Sequence, residues 1–173
     1  MMPCAAFCGG VGGKEKTVKK HPWLSYLIGA AVPLAVGGLA ALLTQGSGDF
    51  YETLVQPPLS PPGWLFPVVW TVLYALIGIA SAIVWRAQDC PGRGGALTVY
   101  AVQLAVNFFW PLFFFRLEAF GLSLVWLCLL LVLAGVCAWR FFRCRAAAGW
   151  LFVPYLLWLC FALYLNFGVW RLN

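Results

Sequence analysis

Apolar residues run along this chain in five long blocks, at positions 23–44, 64–85, 97–115, 119–142 and 146–170. Each block holds about 20 residues or more, enough to cross a hydrocarbon core ~30 Å thick as an α-helix. Backbone groups in lipid must be paired within the protein, which leaves helical bundles and closed barrels. Barrel strands would be blocks of about ten residues with strict alternation. Here the blocks are continuous and twice that long. The pattern predicts an all-α membrane protein, a bundle of five transmembrane helices, with residues 21–173 as one domain. Residues 1–20, rich in Gly and Lys, are expected to form a disordered basic tail. The first block is too long for the apolar region of a signal peptide and no small-residue cleavage site follows it, so it is read as a retained helix.

One polar break is long, at positions 45–63. It opens on Gly46-Ser47-Gly48 and carries Pro57, Pro58, Pro61 and Pro62, which exclude a helix there and stiffen the backbone. Phe50, Tyr51, Leu54, Val55 and Leu59 make it apolar for a solvated linker. It is either a loop resting on the membrane surface or a semi-rigid lid over the mouth of the bundle.

Within the blocks, polar positions fall at helical spacing. Gln103, Asn107, Trp110 and Phe114 share one face of the third. Tyr155, Trp158, Ala162 and Asn166 do so in the fifth, and Trp70, Tyr74 and Ser81 in the second. Amides in hydrocarbon are costly unless bonded. These faces therefore serve as hydrogen-bonding contacts between helices, as the walls of a shared aromatic cavity for a small molecule, or as both. Of the ten tryptophans, Trp23, Trp64, Trp85, Trp139, Trp150 and Trp170 sit near block ends, as an interfacial belt would. Trp70 and Trp158 lie deeper and are expected to point into the bundle. Pro33, Pro67, Pro111 and Pro154 predict bends, Pro111 beside Trp110 above all. Ala101/Ala105 and Gly78/Ala82 are small-residue pairs that would permit close helix contact.

Composition narrows the function. Hydrophobic residues are 64% of the chain and charged ones 9%, against about 25% charged in a soluble domain. The net charge of +6 does not point to nucleic acid, because its distribution is topological. Lys14, Lys16, Lys19, Lys20, Arg86, Arg93, Arg140, Arg143 and Arg145 fall on one side, and only Arg116 and Arg171 on the other. The positive-inside rule places the N-terminus in the cytoplasm and the C-terminus outside. The seven cysteines are scattered, and apart from Cys4 and Cys8 none has metal-ligand spacing. The single His21 precedes the first block. No metal and no cofactor is expected. The block interiors hold no Asp, Lys or His, so proton-coupled carriage and acid–base hydrolysis lack their usual groups.

Three stretches match a known pattern. They are Phe50-Tyr51 through Gln56-Pro57, Pro61-Pro62-x-Trp64 and Trp70-Thr71-x-Leu73-Tyr74; Gln103 through Asn107-Phe108-Phe109-Trp110-Pro111; and Pro154-Tyr155 through Trp158, Ala162 and Asn166 to Trp170. Over about residues 22–173 the chain resembles the translocator protein family, also known as tryptophan-rich sensory proteins or peripheral benzodiazepine receptors. The resemblance implies a five-helix bundle that often forms homodimers. It also implies a pocket beneath the first loop for tetrapyrroles such as protoporphyrin IX and for other flat hydrophobic molecules. Carried over by position, that pocket includes Tyr51, Trp70, Tyr74, Asn107, Trp110, Trp158 and Ala162; the polar stripes add Gln103, Tyr155 and Asn166. If porphyrin is broken down in light, the resemblance makes Trp70 and Trp158 the reactive pair. Transport of porphyrin or sterol is a third role it implies. This chain departs from the family in having Phe50 for Trp, Gln56 for Lys, Leu59 for Trp and Phe167 for Tyr. The Lys lost at Gln56 would pair a porphyrin carboxylate. The chain carries no mitochondrial-type presequence, which favours a bacterial plasma membrane over the mitochondrial outer membrane as its location.

Overall fold

The computed structural model describes residues 22–173; the basic tail, with Cys4, Cys8 and His21, lies outside them. Among the described residues the regular structure is all helical: α1 Pro22–Leu43, α2 Ser47–Thr53, α3 Leu65–Arg86, α4 Arg93–Pro111, α5 Phe120–Cys144 and α6 Ala146–Leu172. All but α2 belong to five segments long and apolar enough to cross a membrane. The expected bundle is the observed one.

The 45–63 break contains a helix, which its prolines had argued against. The reason is position: Pro57 is the first of them, and α2 ends at Thr53, ahead of it. Gly46, at φ 80°, turns the chain out of α1 in a left-handed conformation that glycine adopts without strain. Asp49 then sits in the first turn of α2, where the helix dipole favours an anion.

Helix α1 lies along α3 and α5 along α6, with α4 packed on α5 and α3 on α6. The close pair is Gly29 with Gly78. A Cβ on Gly78 would stand 2.5 Å from the Gly29 carbonyl oxygen, and one on Gly29 would stand 2.9 Å from Ala82 Cβ. The Gly78/Ala82 pair thus admits α1. Ala101 and Ala105, by contrast, are exposed on the outer face of α4. Past Pro111 the helix widens into a π turn over Leu112–Arg116, closed by the Leu117 amide donating to the Leu112 carbonyl at 3.0 Å. Pro111 has no N–H to continue the ladder, which accounts for a disruption at this point. The six tryptophans of the expected belt are all exposed near helix ends.

At the basic end of the bundle an aromatic cluster fills the space between α4, α5 and α6, while a groove of about 380 Å³ lies between α1, α3 and α4. Tyr100, Phe141 and Phe152 pack with centroids 5.0–6.4 Å apart. A disulfide between Cys90 and Cys144 ties the α3–α4 connection to the end of α5. Beside it Arg145 pairs with Asp89 and holds that carboxyl below its usual pKa. Reading the cysteines as scattered missed this pair, which is 54 residues apart in sequence and carries no spacing signal.

Candidate functional site

A cavity of about 470 Å³ opens at the other end, beneath the loop that carries α2. Gly37, Ala40 and Ala41 of α1, with Thr44 just past its end, form one wall. Phe66, Pro67, Trp70 and Tyr74 of α3 form the second, and Asn107, Trp110, Pro111 and Phe115 the third. Ser47, Asp49, Tyr51, Glu52 and Trp64 frame the mouth. Its size and aromatic lining, with few polar groups, are those of a small-molecule site.

The wall is ordered by a few buried polar contacts. Asn107 Nδ2 donates to Tyr74 Oη at 3.1 Å. Trp70 stands at the centre, with ring centroids 5.4 Å from Tyr74, 6.2 Å from Trp110 and 6.3 Å from Tyr155. Gly37 lets Tyr74 lie across α1, since a Cβ there would fall 2.2 Å from the tyrosine ring.

Of the residues singled out from sequence, Tyr51, Trp70, Tyr74, Asn107 and Trp110 line the cavity together; Gln103, Tyr155, Trp158, Ala162 and Asn166 do not. The second set packs behind the first. Tyr155 Oη donates to Gln103 Oε1 at 3.0 Å, and the Tyr155 ring meets Trp70 edge-on. Asn166 is best satisfied with its amide oxygen accepting from Trp110 Nε1 at 3.2 Å and from Ser123 Oγ at 3.0 Å, and its nitrogen donating to the Phe120 carbonyl at 3.1 Å. It anchors the indole that forms part of the wall. Ala162 is buried in the core. Trp158 lies against Phe66 at 6.0 Å and Phe161 at 5.5 Å, its indole N–H buried without a hydrogen bond. Phe66, which lines the cavity, is its ring neighbour on that side.

Sequence reasoning missed the contribution of α1. Its signal was present as small residues, Gly37, Ala40 and Ala41, at the three- and four-residue spacing of one helix face. It also missed the acidic mouth formed by Asp49 and Glu52. Tyr51, between them in sequence, packs its ring edge-on to Phe66 at 5.1 Å. Its hydroxyl is buried without a hydrogen bond; burial raises its pKa, with the Ser60 hydroxyl opposing. Ser60 spends its own proton on the Pro57 carbonyl, 2.8 Å away.

The loop is fastened to α6. Val55 N donates to Asn173 Oδ1 and Asn173 Nδ2 donates to Val55 O, both at 3.0 Å. Tyr164 Oη donates to the Pro58 carbonyl at 2.8 Å. Pro57 seats on Gly168, where a Cβ would come within 2.5 Å of the proline ring. Of the two readings of this segment, the lid is the one the contacts match. Among the described residues no group of three His, Cys, Asp or Glu side chains could hold a metal ion.

The family model for the TspO/MBR family matches residues 29–171. A tryptophan-rich sensory protein of Cereibacter sphaeroides is 35% identical over 87% of this chain and 90% of its own length. A translocator protein of Bos taurus is 34% identical over 88% and 92%. The tryptophan-rich protein TspO of Chlorobaculum tepidum is 37% identical over 81% and 90%.

Proposed function

The chain belongs to the TspO/MBR family, and from that footing we propose that it is a membrane receptor whose cavity binds flat hydrophobic ligands of the tetrapyrrole class. One observation carries the reading. Trp70 and Trp110 present two indoles 6.2 Å apart to a cavity whose amide, Asn107, is already fixed by Tyr74. Such a wall offers ring-stacking surface at little ordering cost, because its rings are held before the ligand arrives. Ala41 is exposed and lines the cavity, so Ala41→Trp fills the space without disturbing the core. The variant is expected to bind a porphyrin ring at least about tenfold more weakly, a loss of ~1.4 kcal/mol, measured by the shift of the porphyrin absorption band. Unchanged affinity would remove the cavity from the proposal.

A second reading, light-dependent porphyrin breakdown, draws support from the ring series through Trp70. An excited porphyrin beside Trp70 could take an electron from the indole, with dioxygen as final oxidant. Trp110 and Tyr155 are the neighbours that would share the resulting charge; Trp158 lies behind Phe66. Loss of the porphyrin band under illumination with the wild type, but not with Trp70→Phe, is the expected result. Equal loss in both would end this reading. Transport is least supported, because the charged groups that line the cavity, Asp49 and Glu52, lie in the loop at its mouth. A homodimer in the bilayer is part of the proposal, and cross-linking in native membranes tests it.

A further inference from the structure

The mouth of the cavity combines acid and aromatic surface and lacks the opposite charge. Asp49 and Glu52 both line it, with Trp64, Phe66 and Tyr51 around them. Among the described residues no Lys, Arg or His lines the cavity. Arg116, one residue beyond the lining Phe115, faces a separate groove with Leu42, Leu43, Gln45 and Leu112. The other charged side chains at this end, Glu118 and Arg171, line neither. Gln56 is neutral, and it donates its amide to the Tyr51 carbonyl at 2.9 Å, so it is occupied with the loop's own backbone.

Carboxylates beside aromatic faces attract ammonium groups through both charge and ring quadrupole. The same carboxylates repel a ligand acid, and a low-dielectric cleft focuses that field at its entrance. We infer that this cavity selects flat hydrophobic molecules bearing a cationic ammonium end and discriminates against free dicarboxylic acids of the same shape. The inference rests on the cavity being the ligand site; it adds that Asp49 and Glu52 set the preferred charge. The spread between cation and anion is on the order of tenfold at low salt and narrows as screening rises.

Three probes sharing one ring test it: protoporphyrin IX, its dimethyl ester, and its diamide carrying two trimethylammonium ends. Each is titrated into the protein in phosphatidylcholine nanodiscs, against empty nanodiscs, at low and high salt. The expected order is cation, then ester, then acid, with the spread reduced to within about twofold in the double variant D49N/E52Q. The variant Glu118→Gln, which alters a carboxylate outside the cavity, is expected to keep the spread. Equal binding of all three probes, or tightest binding of the acid, overturns the charge preference and leaves ring binding intact. A spread that survives D49N/E52Q overturns the roles of these two residues. Binding of none of the three sinks the ring-binding reading and the charge preference with it.

Discussion

At the scale of single residues, the cavity depends on one amide and one missing side chain. Asn107 and Tyr74 are both buried and bond to each other at 3.1 Å, in a region where lipid offers no replacement partner. Asn107→Leu leaves the tyrosine hydroxyl unbonded. The expected loss is about 1–3 kcal/mol of stability, read as a lower thermal midpoint in detergent; an unchanged midpoint would show that Tyr74 finds another partner at no cost. Gly37→Ala acts on the same ring from the opposite side. Its Cβ would stand 2.2 Å from Tyr74, so the ring must move or the helices part, at a cost of about 1–3 kcal/mol. Weaker ligand binding is expected alongside the stability loss, and full affinity would show that Tyr74 is not part of the wall.

Among the elements, the lid is the one whose attachment can be loosened alone. Gly168 lets Pro57 seat on α6, and Asn173 and Tyr164 hold the flanking backbone. Gly168→Leu drives a side chain into the proline ring. The expected result is faster hydrogen exchange at the Val55 amide, which donates to Asn173, while the amides within α3 and α4 keep their protection. Exchange at Val55 as slow as in the wild type would mean that the seat on Gly168 does not hold the lid. The five spans were legible because length and apolarity alone determine them in lipid. The face of α4 and of the π turn that continues it was legible too, since Gln103, Asn107, Trp110 and Phe114 are all buried as their spacing required. The face of α6 was only partly so. Spacing tells which residues share a face, but not what stands opposite. Tyr155, Ala162 and Asn166 turned toward packed neighbours, and Phe66 came between Trp158 and the cavity. Helix α2 was hidden because seven residues are too few to show a period beside a cluster of prolines.

Across the whole molecule, the two ends differ in charge and chemistry. Among the described residues the cavity end holds Asp49, Glu52 and Glu118 against Arg116 and Arg171, while the basic end holds Arg86, Arg93, Arg140, Arg143 and Arg145 against Asp89. The positive-inside rule would place the basic end in the cytoplasm, where thiols are kept reduced; that orientation is a proposal. Cys90 and Cys144 are therefore expected to be alkylated as free thiols when intact cells are quenched in acid, and to close into the disulfide on exposure to air. Recovery of the pair already oxidised would place that end in an oxidising compartment and reverse the orientation. With the proposed orientation the cavity mouth would open on the outer side, under the lid. The most direct measurement of the central claim is a ligand-bound structure in lipid, determined with protoporphyrin IX dimethyl ester. The account predicts the ring beneath Tyr51, against Trp70 and Trp110 and facing the small residues of α1. A ring seated instead beside Trp158 on the outer surface of α6, with the cavity empty, would contradict it.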